Sequence, residues 1–374
     1  MTAGAKTTQT ALVGDVNGEF ILSNSAPVPR LEDNDFVAVS VKAVSLNPID
    51  TKMVGDYHTV GATSGCDFSG IVTAIGSDVA HIKVGDRIAG AIPGMNPLRP
   101  SNGAFAENIV APSWATVKIP SAWTFAQGAS LGTSWMTSGM ALFWRLGLPL
   151  DPILQRSKTN ASSDVSATSN GDTQKPIRVL VSGGASASGT AVIQLLKLSG
   201  FKVIATCSPK SNALVQSYGA DEVFDYNSPT CAQDIKSLTR NGLKYAIDCV
   251  TTSSSTQLCY NAIGRAGGRY TSLDPYSDVV AASRPSVKAS WVLGPELLGE
   301  ELRWPAPHGR PGNTDAKTFC GIWASVLQGL LDQDLIRTHP LRISNEGLHG
   351  ILDGFKEIRE KKVSGEKLVY TLGE

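Results

Sequence analysis

The sequence predicts an α/β fold in two parts, a mainly-β lobe and a doubly wound parallel sheet. Two patterns predict it. From Phe36 to Val44 the segment FVAVSVKAV sets Val37, Val39, Val41 and Ala43 on one face, the period-two alternation of a half-buried strand. Glycine-punctuated strands continue in SGIVTAIGSDVAHIKVGDRIAG. From about residue 125 short apolar runs, RVLVS, KVIATC, YAIDCV and GRYTSL, alternate with helical stretches. Runs apolar on both faces are what a sheet covered on two sides requires. At 374 residues the chain exceeds one ordinary core and accommodates both parts.

Taken in order, residues 1–124 read as the first part of the β lobe and 125–310 as the βαβ domain. Within the latter, DPILQRSKTNASSDVSATSNGDTQKP at 151–176 is rich in Ser, Thr, Asn and Asp, buries little, and reads as a flexible surface excursion. Residues 311–374 hold two apolar helix patterns, FCGIWASVLQGLLDQDLI and GLHGILDGFKEIREKK, and a strand, KLVYTL. This tail is expected to return to the β lobe, which makes that lobe discontinuous in sequence.

Composition narrows the partners. With 33 Lys plus Arg against 33 Asp plus Glu the chain is neutral, so no basic excess points to nucleic acid and no block of like charge to a membrane surface. Cys66, Cys207, Cys231, Cys249, Cys259 and Cys320 show no CxxC spacing and read as reduced core thiols. The start MTAGAKTTQTALVGD lacks the basic and apolar regions of a signal peptide, and no apolar run reaches membrane-spanning length. The expected location is the cytoplasm and the expected partner a small, largely uncharged molecule.

RVLVSGGASASGTAVIQLLKLSG has the order strand, glycine turn, helix, with Val192, Ile193, Leu195, Leu196 and Leu198 on the helix's buried face. Against the dinucleotide pattern G-x-G-x-x-G, Gly184 takes the first position, Ser186 the second and Gly189 the third. The second glycine ordinarily lets a pyrophosphate approach the helix N-terminus, so Ser186 either pushes the phosphates outward or hydrogen-bonds them. We expect its hydroxyl to face them. NAD binders place an acid about 20 residues on to take the ribose hydroxyls, whereas KVIATCSPKS sets Ser208, Lys210 and Ser211 at that strand end. Hydroxyls with an ammonium suit a 2′-phosphate, so the expected cofactor is NADPH. Tyr226, closing GADEVFDY, would then flank the adenine.

Two chemistries lack their residues. Zinc needs converging Cys, His or acidic ligands, but His58, His81, His308, His339 and His349 are isolated and the cysteines do not cluster, so no metal is expected. No G-x-S-x-G elbow is present for a serine hydrolase, and TSGCDFSGIV reads as a strand.

VSLNPIDTKM, GCDFSGIVTAIGSDVAHIKVGDRIAG, the cofactor loop, GADEVFDY and SGEKLV together resemble the medium-chain dehydrogenase/reductase superfamily. The resemblance implies a GroES-like catalytic domain joined to a Rossmann cofactor domain. Zinc alcohol dehydrogenases of this superfamily carry a His-Glu pair where this chain has Cys66-Asp67 and a catalytic cysteine near Asn47-Pro48. Their four-cysteine structural lobe is absent too, so the chain is similar to the metal-free quinone and enoyl reductase branch. WVLGPELLGEELRWPAPHGRPG and IGRAGGRYTSLDP are similar to the trans-acting enoyl reductases that serve fungal iterative polyketide synthases. Those enzymes use NADPH to reduce an enoyl chain held on the synthase's acyl carrier protein. The implied partner is such a synthase, or its hybrid with a peptide synthetase.

Carried over residue by residue, the resemblance implies cofactor contacts at Asn47, Ile49, Asp50, Thr51 and Lys52. Ala185, Ser186, Ala187 and Ser188, then Ser208, Pro209, Lys210, Ser211 and Tyr226, would hold phosphates and adenosine. Leu273 and Asp274 would flank the nicotinamide, and Val363 with Ser364 would close the cofactor site. Trp135, Met136, Thr137, Ser138, Gly139, Met140, Ala141 and Leu142 would line the acyl pocket. Gly294, Pro295, Glu296, Leu297 and Leu298 would touch substrate. Hydride added to the β-carbon of an unsaturated thioester leaves negative charge on the carbonyl oxygen and α-carbon, which calls for a hydrogen-bond donor and a proton. Lys52, with Thr137, is the catalytic candidate; Lys52 also reads as a ribose or surface lysine, and Thr137 as a helix start. Trp135 and Trp291 read as pocket walls or as core, and Arg269 and Tyr270 as surface and packing residues. Three functions fit: a partner-dependent enoyl reductase, a free-standing quinone or enone reductase, and a non-catalytic NADPH-binding scaffold. The Pro-rich segment from Pro295 to Pro311 is expected to block edge-strand dimerisation and favour a monomer.

Overall fold

The computed structural model describes residues 7–158 and 176–373. Contacts divide the chain into two compact units, the first Met1–Met136, Gly294–Ser325 and Thr338–Glu374, the second Thr137–Leu293 and Val326–Arg337. The chain thus changes unit at Met136 and Leu293, where the sequence placed the changes at 124 and 310. Side-chain anchoring accounts for the second of these. The Trp114 indole donates to Leu297 O (3.0 Å), and Arg310 pairs with Glu296, so the 294–311 segment belongs with the first unit.

The first unit opens with an antiparallel pair, β1 (Thr8–Gly14) and β2 (Phe20–Pro27). Its main sheet contains β3 (Phe36–Ser45), β4 (Asp67–Ile75), β5 (Arg87–Ala91), β6 (Asn108–Pro112) and β7 (Thr116–Lys118). The alternation at Val37, Val39 and Val41 buries one face of β3, and these valines join Phe68, Phe105 and Phe355 in a single core. Each such side chain, fully buried, contributes about 1.5–3 kcal/mol.

The second unit is a six-stranded parallel sheet of β8 (Arg178–Ser182), β9 (Lys202–Cys207), β10 (Glu222–Asp225), β11 (Tyr245–Asp248), β12 (Gly268–Ser272) and β13 (Val287–Trp291). Its order, β10-β9-β8-β11-β12-β13, is that of a doubly wound dinucleotide-binding sheet. The order reverses between β8 and β11, and ligands of such sheets bind beyond the carboxyl ends at that switch point. The fold class is therefore the one read from the sequence.

β14 (Leu341–Ser344) and β15 (Lys367–Thr371) complete the first unit's sheet, in the order β14-β15-β3-β4-β5-β7 with β6 also on β3. The excursion expected at 151–176 differs in its first part: Asp151–Arg156 is a helix with Pro152 in its first turn and Ile153 fully buried. Gln333 holds its end by donating to Arg156 O (3.2 Å) and Ser157 O (2.8 Å). Residues 159–175 of that segment lie outside the described residues. Among the described residues no helix is long and apolar enough to cross a membrane.

Candidate active site

In the first unit the candidate residues gather where β3 ends. Ser45, its last residue, pairs with Asp67 at the start of β4 on one side and with Val369 of β15 on the other. The chain then turns through the short helix Pro48–Lys52, whose proline suits a first helical position. Asp50 Oδ2 accepts the Asn47 N–H (2.7 Å) and the Asp50 N–H goes to Asn47 O (3.1 Å), closing the turn on itself. Thr51 Oγ1 donates to Pro48 O (2.8 Å), and Arg359 donates to Thr51 O (3.1 Å).

This arrangement sorts the predicted contacts. The Asp50 and Thr51 side chains are buried and engaged within the turn, while Pro48, Ile49 and Lys52 are its accessible residues. Ile49 and Val363 both pack on the first unit's core, and Ser364 beside Val363 is exposed. Burial pushes the Asp50 carboxyl up to about 7, aided by the Asp67 charge and opposed by the Cys66 thiol, the Asn47 N–H and Lys367. Burial and the same two carboxyls push the Cys66 thiol well above its ordinary value.

Below the turn lies a buried ion pair. Lys367, 4% exposed, directs its ammonium to Asn47 Oδ1 (2.7 Å), Asp67 Oδ2 (3.0 Å) and Leu46 O (3.3 Å). Three donors meet three acceptors. Asp67, fully buried, also accepts from Ser45 Oγ (3.0 Å), the Thr133 N–H (2.6 Å) and the Thr133 hydroxyl. A Cβ on Gly132 would stand 2.5 Å from Asp67 Oδ1, so the chain can approach only as glycine there. His339 is buried nearby, and burial followed by the Lys367 charge pushes its imidazole down to about 4.

Other first-unit candidates are more structural than the sequence suggested. Trp135 and Met136 are buried, and the Trp135 carbonyl accepts the Trp323 indole N–H (3.0 Å). In the turn Gly294–Leu298, Gly294 and Pro295 keep accessible surface, but Leu297 and Leu298 are buried. Glu296, expected to meet substrate, is instead paired with Arg310 at 2.5 Å; a buried carboxylate needs such a partner.

In the second unit most candidates stand at the carboxyl ends of the strands β8, β9, β10 and β12. Gly183, directly after β8, has φ +77°, a conformation glycine adopts without strain. A Cβ on Gly189 would meet Gly183 O at 2.3 Å, so strand and helix approach closely there. The helix Ala187–Leu198 follows. Ser186 caps it: its hydroxyl accepts the Gly189 N–H (3.0 Å) and donates to Gly183 O (2.9 Å). The hydroxyl expected to face phosphates thus has its proton committed to the loop. What remains for an anion is the first turn, where Ala187 and Ser188 carry N–H groups that a helix cannot bond internally.

Ser208, Pro209, Lys210 and Ser211 follow β9, with Pro209 and Lys210 exposed, Ser211 buried and the two serine hydroxyls 3.4 Å apart. Tyr226, half exposed, follows β10; Leu273 and Asp274 follow β12 and are half-buried. Among Thr137, Ser138, Gly139, Met140, Ala141 and Leu142, Thr137 alone keeps appreciable surface. Ser138 donates to Ser188 O (3.4 Å), which ties this stretch to the glycine loop. Met140–Arg145 then widens into a π-helix, an irregularity common at functional sites. Trp291 ends β13, half-buried.

Sequence reasoning missed Lys367 and the network on Asp248. The latter, at the carboxyl end of β11, accepts from the Val250 and Thr251 N–H groups, Tyr270 Oη and Ser255 Oγ. A usable signal existed in both: a charge at the end of an otherwise apolar strand, in EKLVYTL and YAIDCV, needs a partner if the strand end is buried.

Two family models match the chain, an alcohol dehydrogenase GroES-like domain over residues 33–121 and a zinc-binding dehydrogenase domain over 187–273. Fold and matches define a medium-chain dehydrogenase/reductase with a nicotinamide cofactor-binding domain. Full-length relatives narrow this. The trans-enoyl reductase tasC of Hapsidospora irregularis is 57% identical over 386 residues, covering 100% of both chains. The trans-enoyl reductase cghC of Chaetomium globosum is 54% identical over 370 residues, covering 98% of this chain and 99% of that one. The chain belongs to the trans-enoyl reductases and is an oxidoreductase of that family. The CurK enoyl reductase structure shares the fold at a TM-score of 0.72 and 17% identity, over 98% of this chain and 99% of that one.

The zinc named by one family model does not fit the residues here. Asp67 is fully bonded to Lys367, Ser45 and Thr133, and the Lys367 ammonium lies between Asp67 and Asn47, where it would repel a cation. A nicotinamide dinucleotide does fit, because the glycine turn leads at the switch point into a helix whose first-turn residues Ala187 and Ser188 keep accessible surface.

Proposed function

We propose that the chain reduces an α,β-unsaturated acyl thioester with NADPH, the acyl group being held on the acyl carrier protein of a partner polyketide synthase or its hybrid with a peptide synthetase. Full-length identity to trans-enoyl reductases carries the reading. The Ser208, Lys210, Ser211 cluster after β9 supports NADPH over NADH. When bound, NADPH would supply hydride to the β-carbon, and the α-carbon would take up a proton to complete the reduction. Ala187 and Ser188 would hold its phosphates by backbone N–H groups, with Tyr226 beside the adenine. Lys52 and Thr137, each partly accessible, would donate to the thioester oxygen as negative charge develops there. No step needs zinc. The protein would act in the cytoplasm, as a monomer.

The test is NADPH oxidation with an enoyl thioester bearing a pantetheine arm, against a quinone and a free enone. Turnover of the thioester supports the reading. Fast quinone turnover without thioester turnover replaces it with a free-standing quinone reductase, and NADPH binding without turnover of any substrate with a scaffold.

A further inference from the structure

We infer that Lys367 is a positioning residue, an internal cation that fixes the side-chain amide of Asn47 and with it the Pro48–Lys52 turn. This rests on the functional reading above together with the cofactor contacts that the family resemblance implies for Asn47 to Lys52.

An ammonium has donors and no acceptor. Lys367 Nζ, 2.7 Å from the Asn47 side chain, therefore requires the amide oxygen to face it and turns the amide NH₂ away. That nitrogen, Asn47 Nδ2, is buried and makes no hydrogen bond among the described residues. A buried donor left without a partner is costly, and an acceptor on a bound ligand would remove that cost. Asn47 is thus held as a donor. The same ammonium takes Leu46 O, the residue before, so two successive residues at the entry to the turn are pinned by one charge.

Asp67 serves this arrangement. An unpaired ammonium is not tolerated in a buried site, and Asp67 is held ready for it by Ser45 and Thr133. His339, beside the ammonium, stays neutral and adds no competing charge at neutral pH. Lys367 thus supplies the positive charge that bridges Asn47 and Asp67.

The experiment compares NADPH affinity by fluorescence titration with the melting temperature of the protein free of cofactor. Lys367→Met is expected to weaken NADPH binding and lower kcat, by up to about a hundredfold for a displaced site, and to lower the melting temperature by stranding Asp67. Lys367→Met with Asp67→Asn removes both charges: the melting temperature returns while the affinity loss remains. Recovery of both together overturns the inference, since Lys367 would then only balance charge. Asn47→Ala should weaken NADPH binding, and adding Lys367→Met to it should weaken binding no further; additive losses overturn action through Asn47. Asn47→Ala leaves the ion pair intact, so unchanged affinity in that variant alone overturns the proposal even if the charge-removing variants fail to fold. A wild-type protein with no NADPH affinity overturns the functional reading instead, and the inference with it.

Discussion

At neutral pH the Asp50 carboxyl sits near its midpoint, because burial and the neighbouring Asp67 raise it to about 7 from 3.8. Its folded form binds the proton more tightly than its unfolded form, so its contribution to stability is complete below about pH 4 and is lost as pH rises through 7. His339 has the opposite sign. Its folded value near 4 lies below the ordinary 6.5, so its contribution is complete above 6.5 and is lost as pH falls toward 4. Melting curves of Asp50→Asn against wild type should therefore show a difference that grows in the variant's favour from pH 4 to 7 and then levels off. A difference independent of pH would mean that Asp50 does not titrate in this window. The second residue-scale expectation concerns Lys210, exposed at the end of β9. Lys210→Ala should weaken NADPH binding and leave NADH binding nearly unchanged in parallel titrations, since only NADPH carries the phosphate that an ammonium there would meet. Equal losses for both would remove Lys210 from phosphate recognition.

The glycine loop shows how an element keeps its role with a changed residue. Ser186 stands at the middle position of the glycine pattern, and its hydroxyl closes the loop by bonding Gly183 O and the Gly189 N–H. A glycine there leaves both groups without that partner. Ser186→Ala should cost the helix about 1 kcal/mol, as loss of an N-cap does, read as a lower urea midpoint with an unchanged slope. An unaltered midpoint would show that the cap contributes nothing. The loop's existence was legible in sequence because strand, glycines and apolar helix face follow one another locally. The use of the hydroxyl was not, since one serine both caps helices and binds phosphates, and only backbone geometry separates the two.

At the scale of the molecule, periodicity revealed the sheets, because the side chains that bury a strand alternate within a few residues of one another. The Val37, Val39, Val41 face is an example, and the unbroken apolar runs of β8 and β9 mark the covered parallel sheet in the same local way. The short helix Asp151–Arg156 was obscured by the polar stretch that follows it; one fully buried isoleucine and a distant glutamine hold it. The ion pair of Lys367 and Asp67 escaped for the same reason, as its members come from strands at opposite ends of the sequence. That separation has a consequence for synthesis. Asp67 leaves the ribosome early, and its counter-ion is among the last residues of the sheet to follow. Until β15 docks beside β3, Asp67 has no counter-ion to be buried with, so burial of that carboxylate is coupled to the arrival of the last strand of the sheet.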